Sequence, residues 1–425
     1  MIFPALLMTL LSFTVFSFMK NMIKNGDDIH AYFFLALYIY TIFTQIGYVY
    51  YPELSYNICY YGLDSFYGYW AFMYLSFLSC FFFYKHNRNN RYKNIYFYSY
   101  SQINRQSWYY LLLFGLMIFC FYYFKSNPDK FGWGGSNNMG DTYFVILFRL
   151  FTVCTFILYT KVRQRIKIKQ LILLIICLFV YSSITMAAGN RSTLLSLFIA
   201  FIFYELIPLN YIFKHQKIKL IIIGSLVYVF LQALIIITEL RNFTNEIDFM
   251  TLISFNTEES AVAAKALSEE IIKQDYYAPS HTLFVAMHHN FIEPFQVLYS
   301  NLCNFFIGLK QPYLTETLVA IENGPQQRGV GWAFHLFTEG YCFAGWLGII
   351  YNGIVWSFFL NLVIRISKNN NPVLSRIIYA YMASSIIGWT RTQSCIMLQS
   401  IWFTYIPFII ILGWAYGYKA CISSK

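Results

Sequence analysis

Apolar runs of span length alternate with short polar connections along almost all of this chain, and one long polar stretch interrupts them. The runs fall at 2–19, 31–49, 66–84, 108–124, 142–160, 170–187, 193–207, 218–238, 341–363, 374–388 and 396–416. A helix needs about 20 apolar residues to cross a bilayer, so the pattern predicts about eleven spans. Two of them, 193–207 and 374–388, are short enough to be tilted or broken. The expected fold class is all-α, a polytopic membrane helix bundle with one large outer helical loop. The expected division is 1–238 for the first eight helices, 239–340 for the loop and 341–425 for the last three. Met1 to Met19 has no basic leader and no small-residue cleavage site, and reads as a retained first helix.

Inside the loop the pattern is helical. Asn256 with Glu259 three residues on forms a capping box for a helix running to Lys273. Pro279 and Ser280 are expected to break it. The stretch from His281 to Leu309 is apolar on one face and interrupted at Glu293-Pro294, which suits a helix lying in the outer interface or dipping into it. Residues Lys125 to Asp141, with Gly132-Trp133-Gly134-Gly135, read as a flexible outer connection or a lid.

Composition sharpens this. With 58% hydrophobic and only 12% charged residues, the chain is not a soluble domain. A net charge of +11 would suit nucleic acid, but the basic residues sit in short clusters between apolar runs rather than in a stripe. They follow a topology signal instead. Lys161, Arg163, Arg165, Lys167 and Lys169 fill one connection, and Lys214, Lys217 and Lys219 fill another. By the positive-inside rule the N-terminus is outside, the C-terminus is cytoplasmic and the long loop is outside. The nine cysteines show no ligand or disulfide spacing, and no metal site is expected.

Against this trend, arginines stand at outer helix ends. Arg191 lies in the turn between two spans, Arg241 follows the eighth, Arg328 precedes the ninth, and Arg391 lies between the last two. Arg149 falls within a span, where an ionisable group suggests function. Guanidinium grips an anion bidentately, so the five suit a diphosphate at headgroup depth. Headgroup contact, or ion pairs with Glu239 and Glu339, is the plainer reading. Glu339 and His335 are four residues apart and would share a helical face, where either could take a proton from a hydroxyl. His288 and His289 are the alternative base or acceptor-binding residues. No phosphate-binding loop, dinucleotide turn or Asp-x-Asp is present, which leaves nucleotide and metal-dependent chemistry without a foothold.

Gly189-Asn190-Arg191-Ser192 entering a short span, one large outer loop, and Glu339-Gly340-Tyr341 leading to Gly345-Trp346-Leu347-Gly348 together resemble the Wzy-type O-antigen and oligosaccharide repeat-unit polymerases. The resemblance implies a GT-C-like fold and glycosyl transfer in the bacterial cytoplasmic (inner) membrane, on its outer face, without cofactor or metal. Its donor and acceptor would be undecaprenyl-diphosphate-linked oligosaccharides. Partners would be membrane lipid and a chain-length regulator of the same pathway, with no nucleic acid. Ligation of glycan to lipid A core, or transport of a lipid-linked sugar or another anion, are the alternatives.

Overall fold

The computed structural model describes residues 2–38, 60–86, 107–127, 142–187, 191–207, 209–225, 279–305, 313–323, 334–367, 372–390 and 393–416. Among these, 92% are helical and none is in a strand. Among the described residues, six helical segments are long and apolar enough to cross a membrane: Phe66–Tyr84, Trp108–Ser126, Tyr143–Gln164, Ile168–Thr185, Leu336–Ser367 and Ser394–Tyr416. Ser196–Leu206 and Val373–Ile386 are apolar but shorter, at the two runs expected to be short. The protein is therefore an all-helical chain compatible with a multi-pass membrane protein. The Asn256–Lys273 helix and the Gly132–Gly135 connection lie outside the described residues.

The chain divides into two compact units. The first comprises Met1–Arg91, Leu231–Leu360 and Ile386–Met397. The long polar stretch supplies Pro279–His288, Pro294–Phe305 and Leu314–Asn323, and proline starts the first two. Proline suits a first helical position because its missing N–H has no partner there anyway, so Pro279 opens this helix; the stretch it was expected to break lies outside the described residues. The Pro279–His288 helix is packed on all sides, with Leu283, Phe284, Val285 and Ala286 buried. Phe284 stacks on Tyr69 at 4.1 Å between ring centroids. The Pro294–Phe305 helix is reversed relative to a water-exposed amphipathic helix. Val297, Ser300 and Asn304 face inward, while Phe295 (87% exposed), Leu298, Tyr299 and Leu302 form an outward apolar stripe. Such a stripe suits a lipid interface.

The second unit comprises Tyr92–Phe230, Asn361–Ser385 and Leu398–Lys425. Its polar contacts tie helix ends together. Glu205 takes Arg163 Nε at 2.7 Å and Lys219 Nζ at 2.7 Å, so the C-terminal ends of Thr142–Gln164 and Arg191–Leu206 meet. Lys161 lies 4.7 Å from the Tyr109 ring centroid and 5.3 Å from that of Tyr416. The start of Ser107–Ser126 and the end of Ile406–Tyr416 thus lie at that same level. These contacts join basic residues that the charge pattern assigns to a single side of a membrane.

Candidate functional site

The site is built on a helix that is interrupted. The ninth apolar run was expected as one span from 341; instead a nine-residue helix, Leu336–Ala344, precedes a 3-10 turn at Gly345–Leu347 and then the long helix Gly348–Ser367. Gly345 takes φ 58°, a left-handed conformation that favours glycine. The short helix folds back on the start of the long one, and their backbones touch at Gly340 and Gly348, where a Cβ on either would collide with the other's carbonyl. Asn352 Nδ2 donates to Phe337 O at 3.4 Å across the fold.

All amide donors at the head of the short helix are met. His335 N donates to Thr282 Oγ1 at 3.0 Å, Leu336 N to Thr390 O at 3.2 Å, and Thr338 N to His335 O at 3.0 Å. Phe337 N donates to His335 Nδ1 at 3.1 Å. The usual anion-binding character of a helix N-terminus is therefore already used up by protein groups. His335 is the N-cap, with extended backbone. It does not share a helical face with Glu339, as the four-residue spacing predicts, because the helix begins one residue after it. Burial pushes its imidazole down to about 3. With Nδ1 accepting, the ring proton is assigned to Nε2, which leaves His335 no free basic nitrogen.

Glu339 is buried and accepts four hydrogen bonds. Oε1 receives Asn301 Nδ2 at 2.8 Å, the Tyr351 hydroxyl at 2.7 Å and Ser394 Oγ at 2.5 Å. Oε2 receives the Ser394 amide at 2.7 Å. A carboxylate offers about two acceptor sites on each oxygen, so three donors crowd Oε1 while Oε2 takes one. Three separate elements meet on it: the inward face of Pro294–Phe305, the long helix Gly348–Ser367, and the Ser394–Ser400 helix.

A second polar cluster adjoins the back of the short helix. His288 ends one helix, and the chain turns at His289-Asn290, with Asn290 at φ 48°. The turn is pinned by Tyr341 Oη donating to Asn290 Oδ1 at 3.3 Å and Glu293 N donating to Cys342 O at 2.8 Å. His289 Nε2 lies 2.8 Å from Glu322 Oε2, and the Tyr61 hydroxyl donates to Glu322 Oε1 at 2.7 Å. His288 is exposed, with its ring 4.8 Å from that of Tyr61.

The expected arginine clamp is placed only in part. Arg241, Arg328 and Arg391 lie outside the described residues. Arg191 begins the Arg191–Leu206 helix, and Arg149 is an exposed residue within Thr142–Gln164. Thr390 and Gln393, which flank Arg391-Thr392 in sequence, both serve this site: Thr390 O caps the short helix, and Gln393 Oε1 accepts from Leu314 N at 3.0 Å. Among the described residues no three His, Cys, Asp or Glu side chains stand together to hold a metal ion.

Sequence reading misses Asn301, Tyr351 and Ser394. Tyr351 and Asn301 look like ordinary helix residues, and Ser394 carries no motif. Its only signal is its place three residues after Arg391. No family model, curated protein or solved structure matches this chain.

Proposed function

We propose that the protein polymerises undecaprenyl-diphosphate-linked oligosaccharide repeat units on the outer face of the bacterial cytoplasmic membrane. The reaction is a single inverting displacement. The acceptor sugar's hydroxyl oxygen attacks the anomeric carbon of the donor glycan, the bond to the diphosphate breaks, and the lipid diphosphate leaves with the electron pair. This reading takes the chain as about eleven spans with the N-terminus outside, on a GT-C-like arrangement.

The observation that carries it is the Glu339 cluster. A buried ionisable side chain is costly in a membrane protein and marks function by default. Here it sits on a short, broken helix and draws together three elements through Asn301, Tyr351 and Ser394. The helix supplying Asn301 turns apolar residues outward, which suits a site at headgroup level, where a lipid-linked diphosphate presents its sugars. Tyr61 just before the Leu63–His86 helix, the long loop, and Thr390 and Ser394 all belong to this unit, and the charge pattern puts all of them outside. The four donors favour Glu339 as the residue that holds the site's shape. Arg391, between two site-forming residues in sequence, is the first choice for gripping the diphosphate, with Arg328, Arg241, Arg191 and Arg149 behind it.

The test is purified protein in bilayers supplied with lipid-linked repeat units. Chains of many units on the carrier are expected. Transfer only to a lipid A core acceptor assigns a ligase, and translocation without new glycosidic bonds assigns a transporter.

A further inference from the structure

We infer that His289, oriented by Glu322, is the base that removes the proton from the acceptor hydroxyl; this rests on the polymerase reading above. His289 Nε2 lies 2.8 Å from Glu322 Oε2 in the unit that holds Glu339. The two residues differ sharply in environment. The Glu322 side chain is 3% exposed and the His289 side chain 35%. Glu322 also takes the Tyr61 hydroxyl on its other oxygen, so the carboxylate is held from both sides while the imidazole reaches outward. A surface tether would leave both members wet and would gain little. A buried carboxylate behind an accessible imidazole is the arrangement that orients a histidine for proton transfer.

The tautomer follows from the contact. Glu322 Oε2 accepts from Nε2–H, which puts the lone pair on Nδ1. Among the described residues, no protein group bonds that nitrogen. Glu339 and His335 offer less: three donors crowd Glu339 Oε1 and the Ser394 amide holds Oε2 in a buried site, and His335 Nδ1 caps a helix. The turn that carries His289 is fixed to the Glu339 helix through Asn290–Tyr341 and Glu293–Cys342, so the base is set against the same short helix. In the step, the hydroxyl proton passes to His289 Nδ1 as the oxygen bonds to the anomeric carbon and the lipid diphosphate departs. The resulting imidazolium is stabilised by Glu322 and returns its proton to water through its exposed edge. Glu322 is a positioning residue, and Tyr61 holds it.

The experiment uses the full-length protein in bilayers with lipid-linked repeat units, reading kcat, KM and donor binding. His289→Gly is expected to lower kcat on the order of 10²–10³-fold with donor binding kept, and added imidazole is expected to restore a measurable part of the rate. Glu322→Gln, which preserves volume, is expected to lower kcat at least tenfold with little change in KM, and Glu322→Asp to recover some of that loss. A kcat within threefold of wild type in His289→Gly, or a loss that imidazole does not relieve, overturns the assignment. Wild-type protein that forms no glycosidic bond overturns the polymerase reading itself. Wild type that polymerises alongside an unaffected His289→Gly overturns the base alone.

Discussion

The Tyr351 hydroxyl reaches Glu339 Oε1 at 2.7 Å although twelve residues separate them in sequence. On a continuous helix those positions would stand roughly 18 Å apart along the axis. The contact exists because the chain stops at Gly345, turns, and lays Gly340 against Gly348. Small residues let helices approach backbone to backbone where lipid gives no hydrophobic drive for association.

Gly348→Ala tests that fold-back. Its Cβ would meet the Gly340 carbonyl, which is backbone and cannot swing aside. The expected cost is about 1–3 kcal/mol, as for other overpacked sites, with polymerisation reduced because Tyr351 is moved away from Glu339. Gly224→Ala, where a Cβ meets nothing within 4 Å, should leave both unchanged. Thermal unfolding of the solubilised protein and chain length measure the pair. Equal stability of the two variants would mean the fold-back does not hold the site.

Much of the architecture is legible in the pattern of apolar runs, because span length and charge clusters are local properties. The six long helices and the two short ones fall on runs visible in the sequence. The break at Gly345 is not, since Gly345-Trp346-Leu347-Gly348 is apolar enough to continue a span, and hydropathy does not register a turn that lies inside protein. The same blindness hides Ser394 and Asn301, which matter only once three distant segments meet. His335 misleads for a related reason: a four-residue spacing implies a shared face only when both residues are inside the helix, and a cap residue is not. Glu339 stands out in the sequence through its spacing to His335 and the Glu339-Gly340-Tyr341 resemblance, neither of which registers the Asn301, Tyr351 and Ser394 donors that meet on it.

Lipid contact of the Pro294–Phe305 helix can be mapped directly. A single fluorophore placed at Phe295, Leu298 or Leu302, which face outward, is expected to be quenched by brominated acyl chains. One at Val297, which is buried, should be shielded. Uniform quenching, or none at the outward positions, would remove the interfacial placement on which the headgroup-level site depends.

Stability should fall on acidification because of three buried histidines. Burial lowers His30, His281 and His335 to about 3 from an ordinary value of 6.5. Between those values the unfolded chain binds protons that the folded chain refuses, so stability is full above about pH 6.5 and is lost as pH drops toward 3. The slope is about 1.4 kcal/mol per pH unit for each histidine over that window. His335→Asn can still cap the helix, since asparagine is a favoured N-cap, and should remove about a third of the slope. Unfolding midpoints measured from pH 7 to pH 4 check this; a slope that His335→Asn leaves unchanged would place the acid sensitivity elsewhere.

Glu339 itself separates two roles through a single atom. In Glu339→Gln one carboxylate oxygen becomes an NH₂ group. The Ser394 amide can only donate, so the glutamine oxygen must stay on that side. The NH₂ then faces Asn301, the Tyr351 hydroxyl and the Ser394 hydroxyl. The NH₂ has two protons for these three groups, so two of them turn to accept, a hydroxyl by rotation or Asn301 by an amide flip, and one loses its partner, at a cost of about 1–3 kcal/mol. If Glu339 holds the site's shape, Glu339→Gln keeps donor binding and retains polymerisation within about tenfold of wild type. Glu339→Ala, which strands four donors, should lose both through instability of several times about 1 kcal/mol. If Glu339 is instead the proton acceptor, glutamine abolishes turnover by the order of 10²–10⁴ characteristic of a lost general base while binding persists. Parallel kcat and donor-affinity measurements on the two variants decide between them, and complete loss of turnover in a stable, donor-binding Glu339→Gln protein would move the base from His289 back to Glu339.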